Sequence, residues 1–292
     1  MISIALTTYN GERFLREQID SILGQRVSDI ELVVCDDGST DGTWAILSDY
    51  HKKDSRVYIF QNEHTLGFRD NFLKAISLCK GEYIALSDQD DIWTPNHLEL
   101  LLNAIGDNML VCGNSDLVDE NNKSLGMTLL EQEGIVHLPK NSLDVALLVM
   151  LNHNPFQGAA MLFRREFIEY ALPLPEQADY HDVWFAALSS LMDSFVYVNT
   201  PIVRYRMHGD NISGGHERRD PKTAVRRLIR SHYWPNRPAL LTAIEQRGVL
   251  TSKTQKRYAN TMKRYFHNAR CKYTKVFNFP FIIAHFKSIT AQ

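Results

Sequence analysis

Over the first 115 residues, short apolar runs alternate with stretches in which apolar side chains return every three or four positions. The runs fall at 2–8, 30–35, 57–60, 83–87 and 110–113, nearly free of charge, as expected of strands buried on both faces. Between them, residues 12–25 put Leu15, Ile19, Ile22 and Leu23 on one helical face. Residues 68–79 do the same with Phe72, Ala75, Ile76 and Cys79, and a third helix is expected over 96–105. Strands alternating with helices in this way predict an α/β architecture with a parallel, doubly wound sheet. Such sheets bind ligands beyond the carboxyl ends of their strands.

Three polar clusters stand at those ends. Thr7-Thr8-Tyr9-Asn10 follows the first strand, Asp36-Asp37-Gly38-Ser39 the second, and Asp88-Gln89-Asp90-Asp91 the fourth. All three are expected to open onto one edge of the sheet. Three carboxylates within four positions after a buried strand repel one another and cost desolvation energy unless a cation compensates them. Mg²⁺ and Mn²⁺ take carboxylate oxygens and are often shared with a substrate phosphate. The same four letters also suit a solvated acidic turn before the helix that follows Pro95. No Gly-x-Gly-x-x-Gly follows the first strand and no Gly-Lys-Ser/Thr occurs, so a glycine-rich phosphate loop is not expected. A metal is the remaining device.

From 116 to 215 the regular alternation is lost. A polar turn at 119–123, a short helix over 141–151 and a strand-like run at 158–163 lead to a helix that ends near Leu191. Asp182 falls in its first turn, where the helix dipole favours a carboxylate whether or not chemistry needs one. Strand-like runs at 194–198 and 202–206 follow. His208, in the polar loop after them, suits a structural role as readily as a ligating one.

Charge divides the chain more sharply than apolar pattern does. The net charge is only −2, yet residues 1–216 carry 15 Lys and Arg against 31 Asp and Glu, while 217–292 carry 17 against 3. The basic end interleaves cations with aromatics, as in Lys256-Arg257-Tyr258 and Lys263-Arg264-Tyr265-Phe266, and adds an apolar stretch at 276–283 too short to span a bilayer. That composition fits an interfacial anchor on an anionic membrane surface, or a solvated helical cap on the body. Nucleic acid is not expected, because the body is acidic. The four cysteines are widely spaced and read as reduced thiols, and no basic-then-apolar leader is seen. The expected location is the cytoplasm, at the inner face of the plasma membrane. The expected division is 1–215, with halves 1–115 and 116–215, followed by a basic helical region at 216–292.

Taken together, these residues resemble glycosyltransferase family 2 and its GT-A nucleotide-sugar-binding fold. The resemblance lies in the opening Ile2 to Gly11, in Leu15 to Gln25, in Glu31 to Thr43 with its Asp36-Asp37-Gly38-Ser39, and in Lys80 to Ile84 leading into Ser87 to Asp91. It implies that Thr8, Tyr9, Asn10 and Glu12 line the nucleotide pocket, that Asp37 contacts the base, and that Asn71 and Asp88 also face the donor. Asp88 and Asp90 match the family's Asp-x-Asp pair, with Asp90 the direct ligand of Mg²⁺ or Mn²⁺ and His208 a further metal or diphosphate contact. Asp182 matches the catalytic base, with Gly158, His181 and Trp184 on the acceptor side. Arg69-Asp70-Asn71 departs from the Ala-Arg-Asn of many members, and the Gln-x-x-Arg-Trp of processive synthases is absent, which implies transfer of single sugars. The wording at 8–12 and 87–93 is similar to rhamnosyltransferase-like members that build bacterial O-antigen or capsule. It implies a dTDP-L-rhamnose donor and a lipid-linked oligosaccharide acceptor, with a UDP-hexose donor or a non-catalytic scaffold as alternatives.

Overall fold

The computed structural model describes residues 1–133, 135, 138–151, 155–176, 178, 180–209 and 233–272. The arginines at 226, 227 and 230 and the apolar stretch at 276–283 lie outside these residues. The described strands are β1 (Ile2–Thr8), β2 (Ile30–Asp36), β3 (Val57–Gln61), β4 (Tyr83–Ser87), β5 (Ile92–Trp93), β6 (Leu110–Asp119), β7 (Ser124–Thr128), β8 (Met161–Arg164) and β9 (Phe195–Met207). The helices are α1 (Leu15–Leu23), α2 (Thr43–Lys53), α3 (Phe68–Leu78), α4 (His97–Ile105), α5 (Leu129–Gln132), α6 (Ser142–Leu151), α7 (Phe167–Ala171), α8 (His181–Leu191), α9 (Tyr233–Gln246) and α10 (Lys253–Lys272).

The strands form one sheet in the order β3-β2-β1-β4-β8-β6-β9-β5, with β7 paired to β6. β1 runs parallel to β2 and β4, β2 parallel to β3, and β6 parallel to β9. β8 is antiparallel to both β4 and β6, so it joins two parallel blocks that point the same way. The sheet is thus mostly parallel, as the alternating pattern predicts, but not uniformly so. Every residue of β1 and β2 is buried, because helices cover both faces of this half. Register aligns Thr8 with Asp36 and Leu6 with Ser87, which brings the polar ends of β1, β2 and β4 to one edge.

Residues 195–207 form one long strand where the sequence pattern suggests two. The register against β6 jumps from Gly113↔Val198 to Asn114↔Pro201, so the Asn199-Thr200-Pro201 segment is absorbed as a bulge. Gly113 permits the close approach there, since a Cβ would meet Ile202 Cδ1 at 2.2 Å. Beyond the bulge, β9 carries Arg206 and leads to His208 beside the acidic loop.

The described part of the basic region packs on the body. Leu240, Leu241, Ile244, Ala259 and Met262 are buried within the same apolar cluster as the sheet and its helices. Tyr258 donates to Asp144 of α6 at 2.7 Å. The opposite side of α10 leaves Lys253, Lys256, Arg257 and Arg264 exposed. Of the two readings of this region, these buried residues of the two helices fit the cap. No helix among the described residues is long and apolar enough to cross a membrane.

Leu241 is fully buried although it lies outside the 1–215 segment. Leu241→Ala should therefore lower the unfolding free energy by about 2–5 kcal/mol, as for other core deletions. Denaturant unfolding checks this, and a loss below about 0.5 kcal/mol, the surface-substitution range, would show that α9 is not part of the core.

Candidate active site

The edge at the ends of β1 and β2 is built from carboxylates that bond to protein groups. Asp36, fully buried, accepts from Thr8 Oγ1 (2.9 Å), Ser39 Oγ (2.5 Å), the Ser39 amide (3.0 Å) and Gln61 Nε2 (3.0 Å). Asp37 accepts from Asn62 Nδ2 (2.7 Å) and from the amides of Leu66 and Gly67 (both 2.8 Å). Asn71 donates to the Cys35 carbonyl and accepts from Asn62. Thr8, Asp37 and Asn71 are thus buried and bonded to protein groups, which fixes the shape of the rim where a nucleotide is expected.

Asn10 and Glu12 stay closer to solvent but are also engaged. Asn10 Oδ1 accepts from the Thr40 amide at 2.8 Å, and Glu12 Oε2 accepts from the Gly42 amide at 2.6 Å. Tyr9 is different. It is 51% exposed, an aromatic ring standing open at the mouth of the edge.

The acidic loop after β4 is tied to this rim by its one amide side chain. Gln89 Oε1 accepts from the Tyr9 amide at 2.9 Å, and Gln89 Nε2 donates to the Tyr9 carbonyl at 3.1 Å. A Cβ at position 11 would stand 2.3 Å from Gln89 Oε1, so a side chain there would push Gln89 from its place. Asp91 points inward: it is fully buried and accepts from Gln157 Nε2 (2.6 Å) and the Arg206 amide (3.1 Å). Burial, then Asp90 and Asp88, push its carboxyl well above the usual range. Asp90 Oδ2 lies 2.9 Å from His208 Nε2, so the pairing of the predicted metal residues Asp90 and His208 is present.

Asp88 and Asp182 come together across 94 positions of sequence. Burial raises the Asp88 carboxyl to about 8, and the charges of Asp90 and Asp182 add to the effect. The same Asp182 charge acts on the Cys112 thiol, which burial already pushes up. Asp182 begins α8, and its Oδ1 accepts from the Val183 amide at 2.6 Å. The preceding residue, His181, is 3% exposed and packs on Phe72 at 4.4 Å between ring centroids. Burial drives its pKa down to about 3, so the imidazole is neutral. Gly158 abuts it, since a Cβ there would lie 2.7 Å from His181 Nε2. Trp184 is fully buried and donates its indole N–H to the Ala171 carbonyl at 2.8 Å. It anchors α8 in the core.

The charge balance at Asp88 fits a bound divalent cation. Only burial and neighbouring acids act on this carboxyl, and a cation would relieve all three. Among the described residues, no three or more His, Cys, Asp or Glu side chains gather as a complete cage. Asp90, with Asp88 and His208 nearby, would hold the ion together with ligands from a bound molecule.

Several residues that shape this site do not stand out in the sequence. Gln89 is the uncharged member of the acidic cluster, Gln157 belongs to no motif, and Arg206 is one basic residue in a strand. Its spacing before His208 is the one local hint.

With this geometry in view, comparison with known proteins is decisive for the family. The model of glycosyl transferase family 2 matches residues 3–171. The chain belongs to glycosyl transferase family 2. An uncharacterized glycosyltransferase of Haemophilus influenzae is 26% identical over 246 residues, spanning 80% of this chain and 74% of that one. The Escherichia coli UDP-Glc:alpha-D-GlcNAc-diphosphoundecaprenol beta-1,3-glucosyltransferase WfgD is 28% identical over 73% of this chain and 79% of its own. For relatives from Nostoc and Rickettsia typhi, the match spans 66% and 64% of their length. Among solved structures, Staphylococcus aureus TarS residues 1–349 with UDP-GlcNAc has a TM-score of 0.61 at 16% identity, covering 91% of this chain and 71% of that one. The Pyrobaculum calidifontis mannosyltransferase with GDP-Man and Mn²⁺ has a TM-score of 0.55 at 16% identity, covering 93% and 86%. The family-2 chain is accordingly a glycosyltransferase with a GT-A fold.

The Asp88 shift has a measurable sign. Below its unfolded value near 3.8, the carboxyl is protonated in both states and contributes nothing. As pH rises towards about 8, the unfolded chain releases a proton that the folded chain keeps, so stability is lost across this window. Asp88→Asn removes that dependence. Without divalent metal, the variant's thermal midpoint should gain on wild type between pH 5 and pH 8, and a difference that does not change with pH would contradict the shift.

Proposed function

We propose that this chain moves one sugar from a nucleotide-sugar donor to a hydroxyl of a lipid-linked oligosaccharide, with inversion, using Asp182 as general base. The observation that carries the reading is that the charge of Asp182, in the first turn of α8, acts on the Asp88 carboxyl of the acidic loop. At a helix N-terminus the ionised carboxylate is favoured, and a base must be ionised to act. Asp182 takes the proton of the acceptor hydroxyl as its oxygen bonds to the anomeric carbon. The bond from that carbon to the diphosphate breaks with its electron pair on the leaving oxygen. One displacement from the opposite face inverts the centre, by the geometry that separates inverting from retaining glycosidases.

Asp90, Asp88 and His208 would hold Mg²⁺ or Mn²⁺ beside the diphosphate. When bound, the ion neutralises charge developing on the leaving group. The neutral His181 and Gly158 wall the side of Asp182 where an acceptor would arrive. Tyr9, exposed at the rim, is placed to meet a base.

The wording of the motifs at 8–12 and 87–93 supports dTDP-L-rhamnose as donor and a role in O-antigen or capsule synthesis. A UDP-hexose is the second reading, favoured by the relative WfgD, whose name specifies UDP-Glc. The diphosphoundecaprenol in that name supports a lipid-linked acceptor at the inner face of the plasma membrane. The exposed Lys253, Lys256, Arg257 and Arg264 of α10 support contact with its anionic surface.

Asp182→Asn should lower transfer by about 10²–10⁴-fold, the usual contribution of a general base, while donor binding by calorimetry persists. Retained transfer would remove Asp182 from the role. Assaying wild type against dTDP-rhamnose, UDP-glucose and UDP-galactose separates the donors, and turnover of UDP-sugars alone would sink the rhamnose reading. Lys256→Gln with Arg257→Gln and Arg264→Gln should weaken co-sedimentation with anionic vesicles; unchanged sedimentation would exclude this face.

A further inference from the structure

We propose that Arg206 is the positioning residue of the acidic loop and sets how tightly Asp88 to Asp91 grip a diphosphate and its divalent cation. The inference rests on the reading above, that this loop holds the donor's diphosphate. Arg206 is 1% exposed, and its described bonds reach three separate parts of the chain. Nε donates to the Asp90 carbonyl at 2.8 Å, Nη1 to the Glu120 carbonyl at 2.8 Å, and Nη2 to Glu17 Oε2 at 2.7 Å. Its own amide donates to Asp91 Oδ1 at 3.1 Å. The guanidinium lies over Phe14 at 4.5 Å, and the same ring packs on His208 at 5.1 Å.

The choice of partners is what argues for positioning. An arginine meant to neutralise the loop could form a two-pronged bridge to one of its carboxylates, the strongest geometry available to it. Here Nε holds Asp90 by the main-chain carbonyl, and the carboxylate bonded to Nη2 is Glu17, on α1 and half exposed. The loop is therefore clamped by its backbone while the Asp90 carboxylate turns to His208. A buried guanidinium is costly to keep, and an apolar side chain of similar volume would fill the space. Arg206 and His208 are two residues apart on extended chain, so one strand sets both the clamp and the carboxylate's partner.

Residues that orient metal-binding side chains from behind typically change affinity 10- to 100-fold when replaced. Arg206→Lys keeps the charge and loses the fork, and Glu17→Gln removes the outer anchor at a half-exposed position. Calorimetric titration with UDP and, in parallel, dTDP in the presence of Mn²⁺ should show roughly 10- to 100-fold weaker binding for Arg206→Lys. Glu17→Gln should shift binding in the same direction by a smaller factor. Donor KM should rise more than kcat falls in both. A loss of thermal stability with binding and KM within about twofold of wild type, the scatter expected of a bystander, would overturn the positioning role. If Arg206→Lys does not fold, Glu17→Gln decides by the same criteria. Asp90→Asn guards the premise: if it too leaves Mn²⁺-dependent binding unchanged, the diphosphate reading fails rather than the role of Arg206.

Discussion

Like charge gathered at the end of a buried strand is the constraint on which this structure turns. Asp90 and, from α8, Asp182 raise the cost of ionising Asp88; Asp90 and Asp88 raise that of Asp91, and burial adds to both. The fold answers by dividing their roles. Asp91 is turned inward onto Gln157 and the Arg206 amide, Asp90 faces His208, and Asp88 stays between the other acids. The rim formed by Asp36 and Asp37 uses the opposite solution, since each of those carboxylates is surrounded by donors.

Much of the fold was legible because burial on both faces leaves an unmistakable mark. The runs that became β1, β2 and β4 are mostly apolar and nearly free of charge, and the helices α1 and α3 between them show a clean face. Direction was harder to read. The letters of β8 say strand but not antiparallel, because its orientation depends on which neighbours it meets. β9 looked like two strands because Pro201 interrupts the pattern, and only pairing with β6 shows that a bulge absorbs it. Composition left the basic end open between an anchor and a cap, and only packing shows that Leu241 and Met262 belong to the common core.

The site was legible where charge is dense and obscure where it is not. The acidic quartet stands out on its own chemistry, whereas Asp182 was singled out by the family resemblance, and its charge acts on Asp88. The hydrogen bonds that hold Thr8, Asp37 and Asn71 were not legible, because a sequence does not show which partners a polar side chain finds. The full burial of Trp184 depends on the rotation of α8 about its axis, which no local pattern fixes. Arg206 and Gln157 lie 115 and 66 positions from the Asp91 they hold, too far for spacing to reveal.

The reciprocal pair between Gln89 and the Tyr9 backbone has a mechanical meaning. It rivets two loops that lie 80 positions apart, so the open ring and the acidic cluster keep a constant separation. The edge therefore works as a gauge of fixed length. A molecule long enough to touch both ends meets a surface already set to its span, and a shorter one finds only half of it.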